Sequence, residues 1–178
     1  MKKLLKILAY LLGLILVLAL IFFLYINFSS LPTYENKAPD LKVESDSLKV
    51  LEGQKIVKTL CSACHKGEDG RLSGREMIDA SAFGEIHASN ITYHPEHGAL
   101  AKYTDGELAY LIRTGIKKDG TYAPPWMVKL PHLSDYDMEA IISYLRSNPP
   151  ELAASDKPTK ESKLNFLAKM LVNVLPKT

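Results

Sequence analysis

Two cysteines and a histidine lie within five residues of each other and are the side chains of this sequence best suited to chemistry. Residues 59–67 read TLCSACHKG; Cys61 and Cys64 are the only cysteines of the chain, and His65 follows directly. A C-x-x-C-H group is compatible with a disulfide, redox-active or plain, with part of a zinc site, or with covalent attachment of a haem. The rest of the sequence has to distinguish among these.

Thiol redox chemistry and zinc binding each leave part of the pattern unexplained. A thioredoxin-type site has its cysteines at the start of a helix that follows a strand, which lowers the thiol pKa, whereas this motif follows a helical pattern. A structural zinc site uses four Cys or His ligands, and the compartment predicted below oxidises free thiols. A plain disulfide gives His65 no role.

Covalent haem attachment gives all three residues a role. Two cysteines three positions apart can form thioethers with the two vinyl groups on one edge of a porphyrin, and the adjacent histidine then faces the iron. Both thiols are used, which agrees with a chain that has no other cysteine. The sequence therefore predicts one covalent haem c, held by Cys61 and Cys64, with His65 as the fifth iron ligand.

The sixth iron ligand determines function, because a filled position favours electron exchange and an open one permits gas binding or peroxide chemistry. Met127 is the preferred candidate, since it follows two prolines in a loop whose backbone is already restricted. Met138 is expected in the core, and Met77 is close to His65 along the chain. The other candidates are the histidines of polar loops, His87, His94, His97 and His132.

The segment before the motif predicts a helix, and the segment after it predicts loops. A helix is expected from Ser45 or Ser47, either of which can cap it, and it runs into Cys61. Residues 66–103 are rich in Gly, Ser, His and Asn and have no sustained apolar period. We therefore expect mostly loop structure there, without a convincing strand pair.

Two further helices are predicted in the second half of the chain. TDGE at residues 104–107 is a capping box, and Gly115 is a plausible end of the helix that it starts. Ser134 is expected to cap the other, which ends before the prolines at 149–150. The period is 3.6 throughout, so residues 45–150 are predicted to form an all-α domain.

The first 28 residues predict a membrane anchor. Residues 7–28 have no charge and are nearly all apolar; as a helix they span roughly 33 Å, enough to cross the hydrocarbon core. A cleaved signal peptide is the alternative, but its apolar region is shorter and INFSSLPTY has no clear cleavage site. Lys2, Lys3 and Lys6 precede the run, so the N-terminus is expected in the cytoplasm and the domain on the periplasmic side.

The remaining segments connect or flank the predicted domain. Residues 29–44 are predicted to be a linker, and residues 151–178 a second linker with an amphipathic helix. The helix is expected over residues 162–178, where apolar residues up to Leu175 recur at helical spacing with Lys163, Lys169 and Lys177 interspersed. That tail helix either packs back on the domain or rests on the membrane surface or a membrane partner. Beyond the three N-terminal lysines the chain has 19 basic and 20 acidic side chains, so nothing predicts binding to nucleic acid.

The chain resembles class I cytochromes c over roughly residues 46–150, and more closely the monohaem domains found as cytochrome subunits of membrane-bound sugar and alcohol dehydrogenases. The resemblance is carried by CSACH, SNIT at 89–92, YTDGEL at 103–108, IRTGIKKDG at 112–120, PPWM at 124–127 and LSDYDMEAIISYLRS at 133–147. It supports Met127 as the distal ligand and implies that Gly53 and Tyr144 lie where the first and last helices cross. Further candidates to line the pocket or bind the propionates are Asn90, Tyr93, Tyr103 and Trp126.

These observations predict an electron carrier rather than an enzyme. Its partners would be membrane-associated redox proteins such as an oxidase, a quinol-oxidising complex or a dehydrogenase. The chain departs from the resemblance in having Val128 after Met127, where proline is common, and one domain where such subunits often have three. The alternatives are a gas sensor or small haem enzyme with an open distal site, bordered by Tyr93 or His94, and a structural haem subunit of a membrane complex.

Overall fold

A computed structural model describes residues 2–174, and its helices follow the apolar periods of the sequence. The helices are α1 (Lys2–Phe28), α2 (Ser47–Leu60), α3 (Ser62–His65), α4 (Asp105–Thr114), α5 (Asp135–Arg146) and α6 (Phe166–Val174), with single 3₁₀ turns at Ile78–Phe83, Leu100–Lys102 and Pro150–Leu152. Two short strands, β1 (Gly84–Glu85) and β2 (Lys163–Leu164), pair antiparallel. The fold is predominantly helical, as predicted; the strand pair was not predicted.

α1 is an apolar helix with exposed side chains. Its most apolar window has a mean hydropathy of 3.1 and no buried residue. At about 1.5 Å per residue, its 27 residues span about 40 Å. The helix is therefore long and apolar enough to cross a membrane. Only Ile26, near its end, is buried against the rest of the protein.

α2 is capped by Asp46, so the predicted caps Ser45 and Ser47 were wrong. The Asp46 carboxylate accepts a hydrogen bond of 2.9 Å from the N–H of Lys49. An ionised carboxylate both satisfies this free N–H and interacts favourably with the positive end of the helix dipole. α2 runs into Cys61, as predicted.

The core of the domain lies where α2 and α5 cross. A Cβ atom on Gly53 would lie 1.9 Å from the carbonyl oxygen of Ala140 and 2.9 Å from Cβ of Tyr144, so the two backbones are in contact. The predicted meeting of Gly53 and Tyr144 is confirmed, and the buried Tyr144 ring fills the space beside the crossing. The core also contains Val57, Leu72, Leu100, Leu108, Met138, Ile141, Ile142, Leu145 and Leu152.

α4 begins and ends where its sequence predicts. Thr104 accepts from the N–H of Glu107, and the Glu107 carboxylate accepts from the N–H of Thr104, which completes the capping box. Gly115 ends the helix with a φ of 76°, a left-handed conformation that costs glycine little. Ser134 caps α5, also as predicted.

Arg146, at the end of α5, joins that helix to α4 and to the loop before it. Its Nε donates to Asp105 at 2.8 Å. The other two nitrogens donate to the carbonyls of Leu100 at 2.9 Å and Tyr103 at 2.6 Å. One side chain thus satisfies a carboxylate and two backbone acceptors that belong to different elements.

Replacing Arg146 by glutamine is expected to lower the free energy of unfolding by about 2–3 kcal/mol, because it leaves a partly buried carboxylate without its cation. Chemical denaturation followed by circular dichroism measures this. Arg113→Gln is the matched control, since Arg113 also binds one carboxylate, Asp135, and two backbone carbonyls, those of Pro131 and Leu133. The Asp135 side chain is 94% exposed, so a smaller loss of less than about 1 kcal/mol is expected. Equal losses in the two variants would contradict the assignment.

Residues 29–44, the predicted linker, lie along the domain. The N–H of Tyr34 donates to the carbonyl of Gly120 at 2.8 Å. The N–H of Val43 donates to the Asp105 carboxylate at 3.0 Å. The segment that connects α1 to α2 is therefore held against the domain at both of these points.

The predicted tail helix begins at Phe166 rather than at residue 162, because residues 163–164 form β2. α6 contacts α1 and the turn Ile78–Phe83. Part of its predicted apolar and basic pattern, Leu175 and Lys177, lies outside the described residues.

Candidate haem-binding site

The C-x-x-C-H motif lies at the C-terminal end of α2 and forms one helical turn. Cys61 ends α2, and the N–H groups of Cys64 and His65 both donate to the Cys61 carbonyl, at 3.2 and 3.0 Å. Both cysteines are free thiols and partly buried. The local fold therefore presents two thiols and an imidazole from a single turn.

The surroundings of Cys61 disfavour a thiolate, whereas those of a redox-active cysteine favour it. Burial, and to a smaller degree the neighbouring Cys64, raises the pKa of the Cys61 thiol to about 11. Cys61 also lies at the C-terminal end of α2, where the helix dipole disfavours a thiolate. Reactive thiols and zinc ligands need the thiolate form, so this geometry favours neither.

The His65 ring is oriented by a backbone carbonyl. Its Nδ1 lies 2.8 Å from the carbonyl oxygen of Ser89, and a carbonyl only accepts, so Nδ1 carries the hydrogen and Nε2 keeps its lone pair. Burial lowers the pKa of the imidazole and outweighs the opposite effect of this bond. A neutral imidazole, fixed through one nitrogen and free at the other, is the form that binds iron.

These donors fit a covalently bound haem. Two free thiols on one turn suit the two thioether bonds, and the Nε2 of His65 suits one axial iron bond. Among residues 2–174 no group of three or more His, Cys, Asp and Glu side chains is placed to hold a metal ion directly. Two thiols and one imidazole are fewer than the four ligands that a structural zinc site uses, whereas they match the two thioether bonds and one axial ligand of a haem c.

Asn90, a predicted pocket residue, holds the segment that contains Ser89. Its Nδ2 donates to the carbonyls of Ser155 and Lys157, at 3.0 and 2.8 Å. Its Oδ1 accepts from both the N–H and the hydroxyl of Thr92, at 2.9 and 2.7 Å. The buried amide thus has no donor left for a propionate, and its observed role is to fix the loop that orients His65.

The two predicted tyrosines border the same core. The Tyr93 hydroxyl donates to the carbonyl of Leu145 at 2.7 Å, so its hydrogen is already used. Tyr103 is partly buried beside the core. It also lines a cleft of about 300 Å³ together with Ser89 and Asn90.

Met127, the predicted distal ligand, ends a proline-stiffened turn. Its N–H donates to the carbonyl of Pro124 at 3.0 Å, with Pro125 at a position where proline's fixed φ favours a turn. Trp126 stacks on Phe83 with the ring centroids 5.4 Å apart. The turn is therefore held at its ends by the backbone and at its centre by an aromatic contact.

The other sixth-ligand candidates are in different surroundings. Met138 is buried in the core, as predicted. Nδ1 of His94 accepts from the N–H groups of Glu96 and His97, at 3.2 and 3.0 Å. His87 lies 3.1 Å from Glu85, and His132 is exposed.

Two contributions to the site had no recognisable sequence signal. Ser89 acts through its carbonyl, which every residue type carries, so only the path of the chain shows that it faces His65. Phe83 lies in a segment predicted as loop, and its ring contact with Trp126 joins residues far apart in sequence.

Asp69 ties the loop after the motif to the segment beyond α5. Its carboxylate accepts from the Ser73 hydroxyl at 2.7 Å, the Arg71 N–H at 3.1 Å and the Ser155 hydroxyl at 3.1 Å. Burial alone would raise its pKa, but these hydrogen bonds outweigh burial and lower the pKa of Asp69 below its ordinary value of 3.8.

Replacing Asp69 by asparagine is expected to destabilise the protein in a pH-dependent way. A lowered native pKa contributes stability above the ordinary value of 3.8, and the contribution is lost as the pH falls through the native value. The difference between wild type and variant should therefore be largest at neutral pH and shrink in acid. Urea denaturation at several pH values measures it, and Asp79→Asn, at an exposed position, is the control. If the difference in free energy of unfolding between wild type and Asp69→Asn does not change with pH, the Asp69 charge does not stabilise the fold.

Comparison with known proteins assigns the family. Residues 50–149, more than half of the chain, match the cytochrome c family. The chain belongs to the cytochrome c family. The matched range contains the C-x-x-C-H motif, Ser89 and Met127, and membership implies a covalently bound haem c. The resemblance seen in the sequence motifs is thereby confirmed.

This cytochrome is also similar to components of several dehydrogenases. It is 29% identical over 117 residues to the cytochrome c subunit of a quinone alcohol dehydrogenase from Gluconobacter oxydans (strain 621H), covering 64% of this chain and 24% of that protein. It is 30% identical over 109 residues to the fructose dehydrogenase cytochrome subunit of Gluconobacter japonicus, covering 60% and 22%. A third relative belongs to a nicotinate dehydrogenase of Pseudomonas putida and is 26% identical over 108 residues, or 60% of this chain and 9% of that protein.

The chain spans about a quarter or less of the length of these relatives. Two of them are named as cytochrome subunits of dehydrogenases. Membership of the cytochrome c family makes this chain an electron-transfer protein.

Proposed function

We propose that this cytochrome is anchored in the cytoplasmic membrane by α1 and carries single electrons between membrane-associated redox proteins on the periplasmic side. The proposal rests on one observation. The same chain has two free thiols suited to a covalent haem and an exposed apolar helix of 27 residues. A soluble protein would not expose such a helix to water, because the hydrophobic effect strongly opposes it.

The haem would be held by four side chains. Cys61 and Cys64 would form the thioethers, while Nε2 of His65 and the thioether sulfur of Met127 would bind the iron. When bound, the haem supplies one-electron exchange between ferrous and ferric iron. A methionine ligand favours the ferrous form and raises the reduction potential relative to a second histidine.

The remaining predicted pocket residues would shape the haem surroundings. Trp126 lies within the ligand turn and stacks on Phe83, and Tyr103 lines the same cleft as Ser89, whose carbonyl orients His65. Both are proposed to contact the haem directly. Asn90 would act through Ser89, since its own amide is fully hydrogen-bonded.

The sidedness follows from the charges before the apolar helix. Lys2, Lys3 and Lys6 precede the span, which favours an N-terminus in the cytoplasm and a haem domain outside. Anchoring confines the domain to within a few tens of Å of its membrane partners and so raises its effective concentration.

The partners are proposed to be membrane-associated redox proteins. The relatives named above belong to alcohol, fructose and nicotinate dehydrogenases. A dehydrogenase is therefore a candidate electron donor for this cytochrome. A quinol-oxidising complex is a second candidate donor, and an oxidase is a candidate acceptor.

The absorption spectrum of the purified, dithionite-reduced protein, before and after addition of CO, tests the proposal. We expect no change, because a protein ligand in the sixth position excludes CO. A clear CO shift would show an open or weakly held position, and would favour gas sensing or peroxide chemistry over electron transfer.

A further inference from the structure

Residues 163–174, here called the strap, contact the outer end of α1. The Phe166 ring stacks on Phe23 with the centroids 5.1 Å apart and meets Phe22 edge to face at 6.5 Å. Nζ of Lys169 donates to the carbonyl of Asn27 at 2.7 Å. One end of the strap is thus attached to the proposed membrane anchor.

The other end of the strap is attached to the haem domain. β2 pairs with β1, and Gly84 is so close to it that a Cβ atom there would lie 2.1 Å from the Lys163 carbonyl oxygen. The N–H of Asn165 donates to the carbonyl of Phe83 at 3.0 Å, and its Nδ2 to the carbonyl of Ala82 at 2.8 Å. Backbone hydrogen bonds make this attachment specific.

The attachment continues to the proposed ligand loop. The strap binds the backbone carbonyl of Phe83, and the ring of the same residue stacks on Trp126. Trp126 directly precedes Met127. A continuous series of contacts therefore runs from α1, through Phe166, to the loop proposed to bind the iron, so the anchor and the haem would be linked through packed groups.

The position of Phe23 sets the depth of the strap. Phe23 precedes the last residue of α1, Phe28, by five positions, which corresponds to about 8 Å along a helix. If α1 spans the membrane, Phe166 lies beside the outermost part of the span. Amphipathic helices bind membranes at this depth, about 5–10 Å into the boundary between headgroups and acyl chains.

The strap has a second apolar face that no described residue covers. Ala168 and Val172 are buried against the protein. Leu167 and Val174, seven residues apart and so on one face of α6, are 43% and 57% exposed. Ile78, in the turn that α6 contacts, is 75% exposed.

We propose that this outward face lies in the interfacial zone of the bilayer and fixes the haem domain in one orientation on the membrane. The proposal rests on the membrane-spanning α1 of the proposed function. Lipid is the occupant because α6, which carries this face, packs directly against the apolar helix α1 that is proposed to span the bilayer, so the face is continuous with the span. Residues 29–44 are also held on the domain, so the domain does not swing on a loose tether.

A fixed orientation would restrict which partners can exchange electrons with the haem. The haem would face the same direction in every copy. Only partners whose redox centre lies at a similar distance from the membrane surface would reach it. This cytochrome would then act as a docked relay between neighbouring complexes rather than as a freely moving shuttle.

Electron paramagnetic resonance of the ferric holoprotein in stacked, oriented bilayers tests the orientation. The full chain is placed in bilayers of phosphatidylglycerol and phosphatidylethanolamine, and the haem signal is recorded against the angle between the membrane normal and the field. We expect a strong angular dependence in the wild type. The double variant L167D/V174D should reduce it several-fold, because two charges cannot remain in the interface.

The matched control is L48D/L51D, which places the same charges on exposed leucines of α2, and it should keep the wild-type angular dependence. Full angular dependence in L167D/V174D, none in the wild type, or an equal loss in the control would overturn the proposal. A change of oligomeric state in detergent with unchanged orientation would assign the face to a second copy and also overturn it.

The same samples separate this proposal from the proposed function. Spectra of unoriented frozen solutions report the iron ligands independently of orientation and should be identical in all variants. A high-spin iron with preserved angular dependence in the wild type, lost in L167D/V174D, would refute the six-coordinate electron carrier and still support the strap.

Discussion

Replacing Met127, the proposed distal ligand, by alanine is expected to open the sixth iron position, so that the reduced variant binds CO stoichiometrically where the wild type is expected to exclude it. Alanine has no donor atom, and the bond between the Met127 N–H and the Pro124 carbonyl holds the backbone of the turn in place. The weak far-red absorption typical of methionine-bound ferric haem should disappear. Spectra with and without CO measure both effects.

Two further variants sharpen this test. Met77→Ala removes a methionine whose N–H is bonded to Ile86 and should leave CO excluded. Met127→His should also exclude CO but lower the reduction potential, because imidazole favours ferric iron more than a thioether does. If M127A still excluded CO, another residue would have to be the distal ligand.

Replacing Gly53 by alanine is expected to lower the free energy of unfolding by about 3 kcal/mol or more. The added methyl group would lie 1.9 Å from the Ala140 carbonyl oxygen, an overlap that only separation of α2 and α5 relieves. Overpacking of this kind typically costs about 1–3 kcal/mol, and more where backbones must move. Denaturation of the holoprotein, followed by circular dichroism, measures the loss.

Gly13→Ala is the matched control for this variant. A Cβ atom on Gly13 meets nothing within 4 Å, and in an open helical position alanine is more favourable than glycine by up to about 1 kcal/mol. The substitution is the same in both variants, but Gly13 lies in α1 outside the domain, so it controls for the glycine-to-alanine change without a helix crossing. A similar stability in the two variants would show that α2 and α5 do not pack as closely as described.

Some predictions that depend on packing differ from the structure or are refined by it. Asn90 is a candidate for the haem pocket by sequence, but its amide is occupied by Ser155, Lys157 and Thr92. Asp46 caps α2 in place of its serine neighbours, a choice among three adjacent residues with similar capping ability. The tail helix was expected on the domain or on the membrane, and α6 contacts both the domain and α1.

Features that depend on neighbouring residues could be predicted before the fold was known. The thiols and imidazole of residues 61–65, the capping box that starts α4, the left-handed Gly115 and the apolar run of α1 are each set by local chemistry and periodicity. The C-x-x-C-H motif predicted a covalent haem, and the resemblance of the longer motifs predicted a cytochrome c, which the family comparison confirmed.

Contacts between distant segments became visible only in the folded protein. The Ser89 carbonyl that orients His65, the stacking of Phe83 on Trp126 and the attachment of the strap to α1 each join groups far apart in the chain. Backbone carbonyls are the same in every residue, and apolar side chains can pack against many partners. Such contacts depend on the path of the chain, which is the sum of many weak interactions and has no local signature.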